Sequence, residues 1–322
     1  MNLPVLNIQD LSINYQTEQG PLQALRNVNL LLPAGKIIGI VGESGCGKST
    51  LISAIIRLLA PNARVAGGAV VFKDKDLLRL SQEQMRSLRG DEISMVFQDP
   101  MTSLNPVMTI GRQMSDVQHR NPSSRTEKQA RSLMMLERVG IADAETQLQR
   151  YPHHLSGGML QRVAIAMALM AEPALLIADE PTTALDATLE VQIIHRLKEL
   201  QHEFGCSILF ISHHLGVIAE LCDEVVVMYA GEVVETGSLR DVFVDPQHPY
   251  TQKLLECDPA RLVERTRDLP VIEGSLPNLV NLPGGCIFRE RCSKSLPRCA
   301  VERPLLSGDH HQVACHLLKE AT

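Results

Sequence analysis

A glycine-rich segment is the clearest candidate for chemistry in this sequence. It reads Gly42-Glu43-Ser44-Gly45-Cys46-Gly47-Lys48-Ser49-Thr50. The segment fits the pattern G-x-x-x-x-G-K-[ST], in which backbone N–H groups surround a β-phosphate. The lysine of that pattern reaches the β and γ oxygens, and the next hydroxyl ligates Mg²⁺. We therefore predict a phosphate-binding loop (P-loop) here, and Cys46 within it is expected to be open to alkylation.

Two acids form a second candidate. The apolar run Leu175 to Ala178 ends at Asp179 and Glu180. An aspartate so placed can hold a water of the Mg²⁺ shell, and a glutamate can polarise an attacking water. Buried strands also often end in a solvated acidic pair, so this pattern is weak without the P-loop.

A helix start forms the third candidate, and it reads Leu155-Ser156-Gly157-Gly158-Met159. Ser156 is a natural N-cap, the glycines let a ligand approach the backbone, and the helix dipole favours an anion. An ordinary helix cap with no ligand fits the same residues.

The elements that must position these residues alternate between strand and helix. Apolar patterns predict strands at 5–15, 37–41, 175–178, 207–211 and 224–235, and helices at 50–59 and 189–204. Residues 81–150 are rich in Gln, Arg, Glu and Met, which favours a mainly helical insert. A strand, the P-loop and a helix in succession indicate an α/β fold. After Gly237 the composition changes, with more Pro, Arg and Cys, which indicates a domain boundary near residue 236.

Bulk composition excludes several classes of protein. With 44% hydrophobic and 21% charged residues, the chain has the profile of a soluble globular protein. A net charge of -6 and a pI of about 6.0 give no basic field for nucleic acid or anionic lipid. No secretory signal begins the sequence and no apolar stretch is long enough to span a bilayer. We therefore expect a cytoplasmic protein that contacts a membrane only through protein partners.

Four cysteines lie close together in the tail: Cys286, Cys292, Cys299 and Cys315. Four thiolates from one loop-rich segment can hold Zn²⁺ or an iron-sulfur cluster. The spacing C-x5-C-x6-C-x15-C lacks the paired C-x2-C motifs of many zinc sites, which makes zinc the less favoured of these two ligands.

The order of the motifs resembles that of the ABC (ATP-binding cassette) transporter nucleotide-binding domain. The order is P-loop, Gln98, LSGGM, LLIADE, Ala184-Leu185-Asp186 and Ile211-Ser212-His213. The resemblance covers residues 1–236 and implies a P-loop NTPase of ABC type, with a mixed sheet core and a helical subdomain at about 96–165. A small cysteine-containing domain would then occupy residues 237–322.

This resemblance also implies site roles. Tyr15 would stack on adenine, and residues 42–50 would bind ATP, with Mg²⁺ held by Ser49, Gln98 and Asp179. Catalysis would use Glu180, His213 and Gln98. Residues 155–159 would face the ATP of a partner subunit, and Asp186 would cross the dimer interface. Met159 stands where many members have Gln, and His214 where many have an acid.

A finer resemblance is to the D-type ATPase of dipeptide, oligopeptide and nickel importers. The supporting phrases run over 97–106, 179–186, 228–237 and 248–251. This family implies a heterodimer with an F-type ATPase, two permease subunits and a periplasmic or lipoprotein substrate-binding protein, with no nucleic acid. It implies peripheral attachment at the cytoplasmic face of the bacterial inner membrane. It also implies a [4Fe-4S] cluster on the four tail cysteines, with zinc or free thiols as the alternatives.

Two other classes compete with an importer subunit. A soluble ABC ATPase acting on nucleic acid or ribosomes would usually need two cassettes in one chain, or a coiled-coil or basic insert, and this sequence shows neither. The hypothesis of a P-loop kinase would leave the LSGG helix start unexplained.

Overall fold

The computed structural model describes residues 4–182, 185, 187–259 and 270–318. Eleven strands lie in these ranges: β1 Pro4–Thr17, β2 Gly20–Pro33, β3 Ile37–Val41, β4 Ala63–Phe72, β5 Lys75–Asp76, β6 Ile93–Val96, β7 Leu175–Asp179, β8 Ser207–Ile211, β9 Glu224–Tyr229, β10 Glu232–Ser238 and β11 Gln312–Val313.

The same ranges contain eleven α-helices: α1 Lys48–Ile55, α2 Gln82–Leu88, α3 Pro100–Ser103, α4 Ile110–Val117, α5 Arg125–Arg138, α6 Ala144–Leu148, α7 Gly157–Leu169, α8 Ala187–Phe204, α9 Leu215–Leu221, α10 Leu239–Val244 and α11 Pro249–Glu256. The chain divides into two compact units. The first comprises Met1–Val5, Pro33–Ile37 and Ser81–Ser212, and the second comprises Leu6–Leu32, Ile38–Leu80 and His213–Thr322.

The first unit contains three parallel strands and most of the helices. β6 pairs with β7, and β7 pairs with β8, both in parallel. All five residues of β8 are buried, as are the first four of β7, which explains why both read as uninterrupted apolar runs. β7 therefore delivers Asp179 to the carboxyl end of a buried sheet, where α/β proteins place ligand-binding residues.

Helix starts in the first unit follow local capping chemistry. Ser81 and Ser124 each form a capping box, with Gln84 and Glu127 three residues later. Ser156 caps α7 more simply, because its side-chain oxygen accepts from Met159 N. Side chains in the sequence therefore set where these helices begin.

The second unit contains the P-loop and a sheet of mixed direction. β3 pairs with β9 in parallel, whereas β9 and β10 form an antiparallel hairpin that turns at Ala230 and Gly231. Both turn residues have positive φ, 46° and 87°, which suits a tight hairpin turn. β11 then pairs with β10 in antiparallel fashion, with Glu235 opposite Val313.

A separate four-stranded sheet in the second unit has the order β2-β1-β4-β5. β1 and β4 pair in antiparallel fashion, with Leu6 opposite Phe72 and Tyr15 opposite Ala63. Leu6, Ile8, Leu11 and Ile13 are fully buried or nearly so, so β1 contributes to the core while its last residues reach the P-loop helix. Among the described residues, no helix has the length and apolar character needed to cross a bilayer.

Candidate functional site

Glycines fix the path of the P-loop. Gly42 has φ 150° and Gly47 has φ 107°, and Gly47 forms the N-cap of α1. A Cβ atom at Gly42 would lie 2.2 Å from the Met228 carbonyl oxygen, and one at Gly47 would lie 2.8 Å from Leu25 Cδ2. Backbone conformation and lack of space therefore both require glycine at these two positions.

Lys48 is the first residue of α1, and its ammonium is folded over the loop. Lys48 Nζ donates to Gly42 O at 2.6 Å and to Glu43 O at 3.1 Å. The side chain is only 9% exposed. Because carbonyl oxygens already hold this cation over the loop, the positive charge lies where the P-loop pattern needs it.

Tyr15 lies next to the same helix. Its hydroxyl is 3.3 Å from Thr50 Oγ1, in the first turn of α1. The end of β1 therefore places an aromatic ring beside the loop, while stacking of that ring on adenine stays a prediction.

Cys46 corrects one expectation from the sequence. The residue has no exposed surface, and burial raises the pKa of its thiol despite the nearby Lys48. Since the thiolate is the reactive form, the structure makes this cysteine inert. The expectation of an alkylation-sensitive loop is wrong for the folded protein.

We accordingly expect iodoacetamide at neutral pH to leave Cys46 unmodified in the native protein and ATP turnover unchanged. Peptide mass spectrometry of the native and the denatured, labelled protein provides the check, because Cys46 must react fully once unfolded. Loss of activity in step with labelling at Cys46 would contradict the burial described above.

Gln98 and Glu180 are brought together in the first unit. Glu180 directly follows β7, and its N–H donates to Ile211 O at 2.9 Å. Gln98 Nε2 donates to Glu180 Oε2 at 3.0 Å. Glu180 has φ 46°, a conformation uncommon for residues other than glycine and frequent at functional sites. A carboxylate held by an amide at the end of a buried strand can orient and deprotonate a water.

The start of α7 leaves one glycine open and one packed. Ser156 Oγ accepts from Met159 N at 3.4 Å. A Cβ atom at Gly157 would meet nothing within 4 Å, whereas one at Gly158 would lie 3.0 Å from Leu189 Cδ1. Gly158 therefore has a packing reason within the chain, and Gly157 has none. The cap geometry agrees with both interpretations of this motif, a plain helix start and an anion site.

The remaining residues predicted for the ATP site are placed as follows. His213 is exposed, and its ring makes an edge-to-face contact with His214 at 4.3 Å between centroids. Asp186 lies outside the described residues. Their predicted roles, like those of Ser49 and Asp179 toward Mg²⁺, stay predictions.

Two residues at the loop were missed from the sequence. The Tyr250 hydroxyl accepts the N–H of Glu43 at 2.9 Å, and burial raises the pKa of Tyr250. Arg291 pairs with the carboxylate of Glu43 at 2.8 Å. Tyr250 lies within a phrase already noted for its family resemblance, residues 248–251, but no local pattern marks Arg291.

The metal prediction for the tail cysteines is wrong. The four thiols line one small cavity of about 10 Å³, a volume near the lower limit for a single water. Burial raises the pKa of Cys286 to about 11, and it also raises those of Cys292 and Cys315. A buried thiol costs more to deprotonate than an exposed one, which disfavours metal binding at this position. No set of three or more His, Cys, Asp or Glu side chains within the described ranges is placed to hold a metal ion. Neither the [4Fe-4S] cluster nor zinc is retained.

A P-loop, a carboxylate that follows a buried strand and an LSGG helix start define an ATPase of the ATP-binding-cassette class. The profile described as ABC transporter matches residues 25–183, and the profile described as oligopeptide/dipeptide transporter, C-terminal region, matches residues 234–299. A probable peptide ABC transporter ATP-binding protein of Sinorhizobium fredii is 47% identical, covering 97% of this chain and 94% of its own length.

The dipeptide transport ATP-binding protein DppD of Bacillus subtilis is 46% identical, with 97% and 94% covered. Among solved structures, a dimeric post-hydrolysis state of an ATP-binding cassette bound to ADP and Pi is similar with a TM-score of 0.66 and 29% identity, over 73% of this chain and 99% of that one. The chain belongs to the ABC transporter family, as one of its ATP-hydrolysing subunits. The predicted mixed α/β fold of ABC type is confirmed.

These similarities give no support to the predicted pairing with an F-type ATPase subunit. The heterodimer is therefore not retained. An ATP-binding subunit of this family does imply permease partners and a substrate-binding protein.

Proposed function

We propose that this chain hydrolyses ATP to drive import of dipeptides or oligopeptides. One observation carries the substrate class: relatives named for peptide and dipeptide transport match along 97% of the chain. The match includes the C-terminal region, where the profile is itself described by oligopeptide and dipeptide transport. Similarity limited to the ATPase part would support only the reaction and not the cargo.

Residues 42–50 are proposed to hold the triphosphate. Backbone N–H groups of the glycine turns and the Lys48 ammonium neutralise the phosphate oxygens. Ser49 is proposed to ligate Mg²⁺ and Asp179 to hold a water of its shell. The metal, when bound, neutralises charge that develops on the phosphate oxygens.

Glu180 is proposed as the general base. Its carboxylate accepts a proton from water, the water oxygen bonds to the γ-phosphorus, and the bond from that phosphorus to the β–γ bridging oxygen breaks. Gln98 supports this role because its amide fixes one carboxylate oxygen at 3.0 Å. Catalysis then depends mainly on positioning and charge neutralisation. His213 is proposed to contact the γ-phosphate.

The open N-terminal end of α7 is proposed to face ATP bound by a second ATP-binding cassette. Two features support this role: the bare backbone at Gly157, and the positive end of a 13-residue helix. A similar cassette is dimeric in a post-hydrolysis state bound to ADP and Pi, which supports an assembly of two cassettes. We propose that two cassettes hold ATP jointly here, with Asp186 near the interface.

Attachment to the cytoplasmic face of the inner membrane is proposed to run through the permease subunits. The sequence offers neither a basic surface field nor a long apolar segment for direct binding. Residues 1–236 are proposed as the ATPase domain, with its helical subdomain at about 96–165, and residues 237–322 as the C-terminal domain.

Uptake of a radiolabelled dipeptide by a deletion strain tests the proposed function. We expect the wild-type gene to restore uptake and the Glu180→Gln gene to fail at equal protein level in the membrane fraction. Normal peptide uptake in the deletion strain, with loss of uptake of another solute, would contradict the proposed cargo while leaving the ATPase assignment intact.

A further inference from the structure

Segments distant in sequence converge on the P-loop in the second unit. A Cβ atom at Gly45 would lie 3.6 Å from Leu276 Cδ1, and Gln23 N donates to Leu279 O at 2.9 Å. The stretch that follows residue 270 therefore lies along the loop and the adjoining strand. Conformational changes in this stretch would reach the loop directly.

Glu43 is the loop residue that this stretch binds. Arg291 Nη1 and Nη2 donate to the two carboxylate oxygens of Glu43 at 2.8 and 3.0 Å. This is a bidentate pair, the strongest geometry available to an arginine and a carboxylate. The Arg291 side chain is only 5% exposed, so water screens the pair weakly.

The remaining donors of Arg291 are also occupied. Nε donates to Glu273 O and Nη2 to Ile272 O, both at 2.9 Å, and Nη1 donates to the Tyr229 hydroxyl at 3.4 Å. The guanidinium carbon lies 5.7 Å from the ring centre of Tyr229. These contacts fix the orientation of the guanidinium, so Glu43 faces a pre-oriented partner.

The backbone of Glu43 is held as well. Its N–H donates to the Tyr250 hydroxyl, and Tyr250 packs on Tyr229 and Phe288 at ring-centre distances of 4.7 and 5.4 Å. Phe288 and Arg291 lie in the same short turn of chain. One aromatic cluster therefore supports both the backbone and the side-chain contacts of this loop residue.

A carboxylate within a loop that binds a polyanion needs a counter-charge. Without one, Glu43 would oppose the phosphates that Lys48 attracts. We propose that Arg291 is a positioning residue for ATP binding, which neutralises Glu43 and fixes the P-loop from the C-terminal part of the chain. This inference rests on the proposed binding of the triphosphate by residues 42–50.

The test is a double-mutant cycle in the full-length purified chain. Arg291→Gln, Glu43→Gln and the double variant are compared for affinity toward a fluorescent ATP analogue with Mg²⁺, and for KM and kcat of ATP hydrolysis. We expect Arg291→Gln to weaken ATP binding by roughly tenfold, an effect typical of coupled groups in one ion-pair network. KM should rise by a similar factor while kcat changes by less than about twofold.

Rescue separates charge neutralisation from a merely structural role. In the Glu43→Gln background, adding Arg291→Gln should change ATP affinity by less than about twofold, because the opposing carboxylate is gone. Arg289 supplies a matched control: it lies in the same turn, and its guanidinium bonds Gly284 O and Ala300 O rather than the P-loop. Arg289→Gln should bind ATP like the wild type.

Two results would overturn the inference. One is wild-type ATP affinity in a folded Arg291→Gln variant, with folding checked by its thermal unfolding midpoint. The other is an equal loss of affinity with and without Glu43→Gln, which would place the effect in the bonds to the carbonyls of residues 272 and 273. Because the readout is nucleotide affinity, a chain that imports a solute other than peptides would still give the expected result.

Discussion

Glu180→Gln is expected to reduce ATP turnover by roughly 10²-fold or more while leaving ATP binding intact, as removal of a general base does. Glutamine has the same shape as glutamate, and its carbonyl oxygen can still accept the hydrogen bond that Gln98 donates to Glu180 at 3.0 Å. The variant therefore removes the proton acceptor and little else. Single-turnover hydrolysis and equilibrium binding of MgATP measure the two effects separately.

Glu172→Gln is a matched control in the same unit. Glu172 also has positive φ, 50°, and pairs with Arg131 at 2.7 Å, but it lies before β7 rather than at its carboxyl end. ATP turnover of the Glu172→Gln variant should remain near the wild-type value, since an exposed ion pair contributes little to the stability of the fold. Near-normal turnover in Glu180→Gln would reject the general-base role.

Gly157→Ala is expected to reduce ATP turnover by about tenfold or more without destabilising the fold. The new methyl group meets nothing within 4 Å in this chain. Alanine in the first turn of a helix should stabilise it by roughly 0.5 kcal/mol through the unfolded state. If a γ-phosphate held by a second cassette approaches this backbone, however, the methyl group occupies its path, and a misplacement of about 1 Å can cost 10²-fold in rate.

A plain helix cap predicts the opposite result for Gly157→Ala, namely unchanged turnover and equal or higher stability. Thermal unfolding and steady-state hydrolysis of the same preparation distinguish the two roles of this motif. Gly67→Ala provides the control, because that glycine is exposed on β4 and its added Cβ also meets nothing within 4 Å.

The strands that carry the motifs were predictable because they are uniformly buried. Apolar runs gave β3 and β8 at their observed limits and β7 to within one residue. Strands buried on both faces need no alternation, so composition alone marks them. The residues at their ends follow directly, which is why the P-loop and the acidic pair could be located.

Other strands gave no comparable signal. β6 has four residues, Ile93–Val96, and lies inside a stretch whose Gln, Arg and Met favour helix, so the composition predicts a helical insert that hides this strand. Residues 224–235 looked like one strand and are a hairpin. Ala230 makes that turn with φ 46°. Hairpin turns with positive φ are signalled in a sequence by Asn, Asp or Gly, and an alanine at this position gives no such signal.

The cysteine prediction failed at the step from proximity to chemistry. Their spacing in sequence suggested a shared site, and the four thiols do line one cavity. Metal binding also requires that the thiols lose their protons and that the cavity can hold the ion. Neither the ease of deprotonation nor the cavity volume can be read from the spacing of cysteines in the sequence. Burial favours the protonated form at three of the four residues.

Contacts between distant segments were beyond sequence reasoning. Arg291 and Glu43 are 248 positions apart, and a single arginine in a tail carries no periodic or motif signal. The pair becomes visible only when the fold brings the tail to the loop.

The pairing of β10 with β11 determines what happens to a form of this protein that lacks its C-terminal residues. Glu235 has no exposed surface, and its carboxylate accepts hydrogen bonds from Gln247 N, His248 N and His311 Nε2. A stop codon just before His311 would spare every residue assigned to nucleotide chemistry. It would also uncover the backbone edge of β10 and leave a buried anion short of one donor. Such a truncated product should be lost to aggregation or proteolysis in the cell, so a null phenotype from it would report on solubility and not on catalysis.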